Sequence, residues 1–400
     1  MGRWKVFFVL VIVAALSPSG RLGAENQGLE QARRSHFHNT RHASWTLEAS
    51  SDAEFSLVDK MDDDREIILY LGDPVCYNTE LYAKFEKEFI VIRPSKKERE
   101  REEFMKALKE NRWGQFRGII RPSCDSGWEM GKWNTPIIHL LPPPCTAFAS
   151  AGTGYDGVDL KVMEMEGVKY YNGAAAASES TADMAIFHII SVFRNMQWSI
   201  EGALSIDPNR WRDAHQNVAR TAYNPSEQKL GIIGLGHVGS TIARKAFGCF
   251  NMKIYYHDIK RKKLKDEQAL NVKFCEKLED MLGLVDCVVI ATPALATPLI
   301  TKAALWRFKR GSRLVNIAHG SLVDEDALVV ALESGHLSAA GLDVHGKEPY
   351  VHPKLAVMRN VTLTSHTAEG TIDTEIGFER LAMENIQRHF QPKPMESLLY

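Results

Sequence analysis

Four hundred residues, 44% hydrophobic and 25% charged, suit a soluble globular chain of about two domains plus appendages. A formal net charge of −1 provides no global field for nucleic acid or an anionic membrane, so neither is an expected partner. Cys76, Cys124, Cys145, Cys249, Cys275 and Cys287 form no C-x-x-C pair and no Cys/His cluster, which predicts reduced cysteines and no metal site.

Arg3 and Lys5 precede an eleven-residue apolar run, 6–16, and a small-residue stretch, 17–24. Spanning a bilayer takes ~20 apolar residues. Residues 1–24 therefore read as a secretory signal-like segment, with no membrane span once it is removed. Residues 25–65 are polar and aperiodic, a flexible extension.

Alternating β and α signals follow. A strand is predicted over 67–71, a turn over 72–74, a helix over 79–88, a strand over 89–92 and a charged helix over 98–111. Short strands follow at 118–121 and at 137–141, the latter between Pro136 and Pro142. A second αβ series runs from about 180 to 364. Its buried strands are 230–233, 253–256, 287–291, 313–317, 339–344 and 361–364. Helices are predicted at 302–308, 324–334 and 375–390. The usable glycosylation sequon, Asn360-Val361-Thr362, falls on the last strand, where a glycan would break the fold.

The strand 230–233 leads straight into Gly234-Leu235-Gly236-His237-Val238-Gly239, a G-x-G-x-x-G turn, and then into a helix start. Nineteen residues after Gly239, Asp258 stands at the tip of the next strand. That order is a dinucleotide-binding βαβ unit. Gly234 allows the tight turn, Gly236 lets the backbone approach a pyrophosphate, and Gly239 lets helix and strand pack closely. Free N–H groups at the helix start, around His237 and Val238, favour phosphate. The Asp258 carboxylate binds ribose hydroxyls and repels a 2′-phosphate, which favours NAD(H). Lys260, Arg261, Lys262 and Lys263 offset that repulsion and keep NADP(H) as the alternative. A cytosolic nicotinamide pool argues for the cytoplasm and the signal-like segment argues against it, so localisation stays open.

These motifs, with V-V-I-A-T-P at 288–293, N-I-A-H-G-S-L-V-D-E-D-A-L at 316–328, A-G-L-D-V-H-G-K-E-P at 340–349 and T-S-H-T-A-E-G-T at 364–371, resemble the D-isomer-specific 2-hydroxyacid dehydrogenases. The resemblance covers residues 66–392 and is closest to the fungal D-mandelate and glyoxylate reductase branch. It implies an α/β fold of two doubly wound parallel-sheet domains, a Rossmann-type nucleotide domain inserted in a flavodoxin-like substrate domain. The substrate domain is expected at 66–180 plus 368–400, and the nucleotide domain at 181–367. A homodimer through the nucleotide domain is implied too.

The implied activity is NAD(P)H-dependent interconversion of small 2-keto and D-2-hydroxy acids. His366 is the implied general acid/base, since imidazole titrates near working pH. Glu348 would orient His366 and favour its imidazolium. Thr153 and Gly154, in the S-A-G-T-G-Y-D loop, would bind the substrate carboxylate. Thr181, Thr292, Pro293 and Asp343 fall on the cofactor side. One position departs from the family: His319 stands where an arginine clamps the carboxylate and polarises the carbonyl. Losing that clamp costs about 2–4 kcal/mol of transition-state stabilisation, roughly two to three decades in rate. Arg121 is a candidate substitute cation. The alternative is a catalytically impaired NAD-binding regulatory protein.

Overall fold

The computed structural model describes residues 64–122, 129–155, 157–295 and 297–391. The signal-like segment and nearly all of the expected extension lie outside the described residues. Among those described, no helix is long and apolar enough to cross a membrane.

Two parallel sheets form the body. In the first, β1 (Ile67–Tyr70), β2 (Ile90–Ile92), β3 (Gly118–Arg121), β4 (Ala147–Ser150) and β5 (Lys169–Tyr171) stand in the order β2-β1-β3-β4-β5. That is the flavodoxin-like order. The second sheet holds β6 (Lys229–Ile233), β7 (Lys253–His257), β8 (Val272–Phe274), β9 (Cys287–Ile290), β10 (Ser312–Asn316), β11 (Leu337–Leu342) and β12 (Val361–Leu363). Its order, β12-β11-β10-β9-β6-β7-β8, reverses direction between β6 and β9, as in a Rossmann sheet. Ligands of such sheets bind outside the carboxyl ends of the strands at that reversal.

Strand alternation divides each sheet's apolar residues between two faces. In the second sheet Leu230, Ile232, Val289 and Val315 pack with Ala185, Ile189 and Phe193 of helix Ala174–Arg194. Ile233, Val288, Ile290 and Leu314 face the other way, against Leu328 and Leu332 of helix Glu325–Glu333. In the first sheet Ile68, Tyr70 and Ile120 pack with Met383 and Ile386 of helix Ile372–Phe390. The last helix among the described residues therefore completes the core of the first sheet.

The strand expected at 137–141 is a correction. Residues Thr135–Ile138 form a short helix, with Pro136 in its first turn. A first-turn proline loses no hydrogen bond there, and its fixed φ favours the helix. The strand comes after the prolines, as β4, whose small residues Ala147, Ala149 and Ser150 carry a weak β signal. Helices Met196–Leu204 and Pro208–Asn217, which periodicity did not single out, fill the link to β6. The expected boundary at Thr181 falls inside helix Ala174–Arg194. Asn360 sits in the sheet region as expected: its Nδ2 donates to the Ser338 carbonyl at 3.0 Å.

Candidate active site

The glycine turn is built as its spacing requires. Gly234 has φ +90°, and a Cβ there would stand 2.6 Å from the Ala291 carbonyl oxygen. A Cβ on Gly239 would stand 2.0 Å from the Gly234 oxygen, so helix His237–Phe250 seats against the turn only through glycine. Gly236 differs: a Cβ there meets no protein atom within 4 Å, so its backbone faces open space at the helix start. Asp258 follows β7 and accepts the Leu235 N–H at 2.8 Å, which ties the acid to the turn. Thr292 and Pro293 follow β9, and the buried Thr292 Oγ1 has no hydrogen-bond partner. An open helix start, an acid beside it and an orphaned hydroxyl fit a dinucleotide.

The basic run after Asp258 is not all available to a phosphate. Arg261 is committed to Glu267, through Nε at 2.8 Å and an N–H at 2.9 Å. Lys260, Lys262 and Lys263 remain.

The second half of the site comes from three loops. His366 has φ +53°, and its N–H donates to the Asp343 carbonyl at 2.8 Å. The fully buried Asp343 carboxylate accepts the N–H groups of Thr367 (3.1 Å) and Ala368 (2.8 Å) and the Thr364 hydroxyl (2.5 Å). Asp343 thus holds the loop that carries His366. His366 Nδ1 lies 2.8 Å from Glu348 Oε2, and Glu348 Oε1 accepts the His345 N–H at 2.9 Å. Burial pushes the Glu348 carboxyl up, but the bonds from His366 and His345 outweigh it and hold it below the usual range. Nδ1 is thus engaged, and among the described residues nothing bonds to Nε2 of His366.

A cavity of about 230 Å³ joins these parts. Thr153, Thr181, Gly236, His237, Val238, Thr292, Pro293, His319 and His366 all line it. The glycine turn, His319 and His366 thus share one cavity. Gly154 adjoins Thr153, and its carbonyl accepts the Tyr170 hydroxyl at 3.2 Å. His319 caps the short helix Gly320–Leu322, and its carbonyl accepts the Asn316 side-chain N–H at 2.8 Å.

Arg121 is not brought to this cavity. Its guanidinium is buried over the Phe148 ring and donates to Ser150 Oγ at 2.9 and 3.2 Å. Burial holds its pKa below the usual arginine value. Glu369 lines the cavity and was not singled out from sequence: its Oε2 accepts the Thr153 hydroxyl at 2.9 Å. The two residues are 216 positions apart, and no local pattern announces their meeting.

Residues 186–368 match the sequence model of the D-isomer specific 2-hydroxyacid dehydrogenase NAD binding domain. The 4-methyl-2-oxopentanoate reductase A of Aspergillus oryzae is 30% identical, over 75% of this chain and 88% of that one. The chain belongs to the D-isomer-specific 2-hydroxyacid dehydrogenase family. Among solved members, apo D-mandelate dehydrogenase of Rhodotorula graminis is 38% identical with TM-score 0.77, covering 81% of this chain and 94% of that one. A glyoxylate reductase of Pyrococcus horikoshii is 33% identical, over 63% of this chain and 73% of that one. The family's nucleotide domain binds a nicotinamide cofactor, and its members act on small 2-keto and 2-hydroxy acids.

Proposed function

We propose that this family member reduces a 2-keto acid to the D-2-hydroxy acid, with His366 as general acid/base. The observation that carries the proposal is the 2.8 Å bond from His366 Nδ1 to Glu348 on a wall shared with the glycine turn. The nicotinamide, when bound, supplies the hydride to the carbonyl carbon. Gly234, Gly236 and Gly239 admit the pyrophosphate at the N–H groups of His237 and Val238, and Asp258 receives the ribose. Thr181, Thr292 and Pro293 wall the cofactor side. Asp343, which the resemblance puts on the cofactor side, commits its carboxylate to Thr364, Thr367 and Ala368 and fixes the His366 loop. Glu348 keeps the imidazole oriented, so that Nε2–H protonates the carbonyl oxygen during reduction and Nε2 takes the proton back during oxidation. His319 contacts the substrate carboxylate, and the loop of Thr153 and Gly154 closes the opposite end.

NAD(H) is the favoured cofactor, because the Asp258 carboxylate repels a 2′-phosphate and Arg261 is held by Glu267. Exposed Leu204, Ile206, Trp211 and Tyr223 near the nucleotide sheet support a homodimer.

A second reading, a dinucleotide-binding regulator, is favoured by one observation: His319 occupies the clamp position. Absorbance of NADH and NADPH, followed with glyoxylate, pyruvate, phenylglyoxylate and 4-methyl-2-oxopentanoate, separates the two. The reductase predicts native turnover, a loss of about 10²–10⁴ in His366→Asn, and a gain of roughly two to three decades in His319→Arg. Tight NADH binding with turnover only in His319→Arg would establish the regulator instead.

A further inference from the structure

The charges lining the cavity conflict with a simple anionic substrate. Among the described residues that line it there is no lysine or arginine; its ionisable groups are His237, His319, His366 and Glu369. Glu369 is half-buried, and among the described residues no ion pair or further side-chain bond engages it beyond Thr153. Its Oε2 accepts the Thr153 hydroxyl, and Oε1 accepts nothing from the described residues. Thr153 belongs to the loop that the family resemblance assigns to the substrate carboxylate. A carboxylate already stands against that loop. Two like charges facing each other in a partly desolvated site repel, and the free oxygen instead seeks a donor.

We propose that Glu369 makes the Thr153 end of the cavity a receptor for a hydrogen-bond donor. The enzyme then selects 2-keto acids that carry a hydroxyl or ammonium group beyond the carbonyl, with their carboxylate turned toward His319. This inference rests on the reductase reading and names its substrate class. Glu369 determines specificity by touching the substrate; it takes no part in hydride or proton transfer.

The test compares hydroxypyruvate with 2-oxobutanoate, which differ only in a hydroxyl for a methyl of similar size. kcat/KM is measured on the full chain, native and with Glu369→Gln or Glu369→Ala. The native enzyme favours hydroxypyruvate by about ten-fold or more, the scale of a hydrogen bond to a carboxylate. Glu369→Ala brings the ratio to about one, because the acceptor for the substrate hydroxyl is gone. Glu369→Gln keeps part of the preference through its amide oxygen. A merely structural glutamate would weaken both substrates alike, and an unchanged ratio in the variants overturns the proposal. So does a native ratio near one. No turnover with any 2-keto acid, under either cofactor, overturns the reductase reading and this inference with it.

Discussion

His366 holds a backbone conformation that costs a non-glycine residue about 1–3 kcal/mol. Three hydrogen bonds on the Asp343 carboxylate, and one on its carbonyl, hold the loop against that cost. Behind them lies His188, fully buried, with Nε2 3.0 Å from Thr364 Oγ1. The Thr364 hydroxyl gives its one proton to Asp343, so Nε2 of His188 must donate and Nδ1 carries no proton. Nδ1 is buried and has no partner, so a proton there would be an unsatisfied charge. Burial accordingly pushes the His188 pKa down to about 4; Asp343 opposes the shift and His345 adds to it. The sign for stability follows. Between pH 6.5 and 4 the unfolded chain binds a proton that the folded chain refuses, so stability falls as pH falls. From about 6.5 to about 4, at 1.36 kcal/mol per unit, the loss approaches about 3 kcal/mol. Urea unfolding of the native chain and of His188→Gln, between pH 7 and 4.5, measures it. The native curve should be steeper by close to one proton, and equal slopes would mean that His188 is not the group that stays neutral.

At the scale of elements, two of the three glycines after β6, Gly236 and Gly239, have separable duties. Gly239 is a packing glycine: its added Cβ would lie 2.0 Å from the Gly234 oxygen. Gly236 has φ −74°, which any residue tolerates, and an added Cβ meets only open space. Gly236→Ala should therefore leave stability within about 0.5 kcal/mol while weakening NADH binding about ten-fold or more. Gly239→Ala should lower Tm as well as binding. Calorimetry with fluorescence titration distinguishes the two, and a Gly236→Ala protein that binds NADH normally would remove the phosphate from this turn.

The same elements explain what could be read without a structure. β9 is buried along its whole length and reads as a continuous apolar run, so it was legible. The βαβ unit was legible because its strand, glycine spacing, helix start and Asp258 all fall within one short stretch of sequence. β4 was not, because Ala147, Ala149 and Ser150 are too small to signal a strand, whereas the apolar 137–141 signalled one that does not form. His366 and Glu348 were identified through motif resemblance, and their 2.8 Å contact supplies its geometry. Glu369 and the His188–Thr364–Asp343 chain were hidden because they depend on meetings between segments distant in sequence.

At the scale of the molecule, order along the chain and order of completion differ. The first sheet to be made, β1 to β5, has one face completed by Ala382, Met383 and Ile386 of helix Ile372–Phe390, which join Phe85 and Phe89 there. The second sheet carries both of its cores within residues 182–361. On a ribosome, the earlier domain must therefore wait for the later one. Roughly 200 residues separate β5 from the closing helix, about 10–40 s of synthesis at ~5–20 residues per second. During that interval Ile68, Tyr70, Phe85 and Ile120 belong to an unfinished core. Nascent chains arrested before residue 372 should be cut by protease within the first sheet while the nucleotide domain resists, and released full-length chains should resist in both. Protection of the first sheet in the arrested chains would mean that it folds unaided. Otherwise the first sheet is a client for chaperones by construction, and its maturation is governed by a helix made long after its own strands.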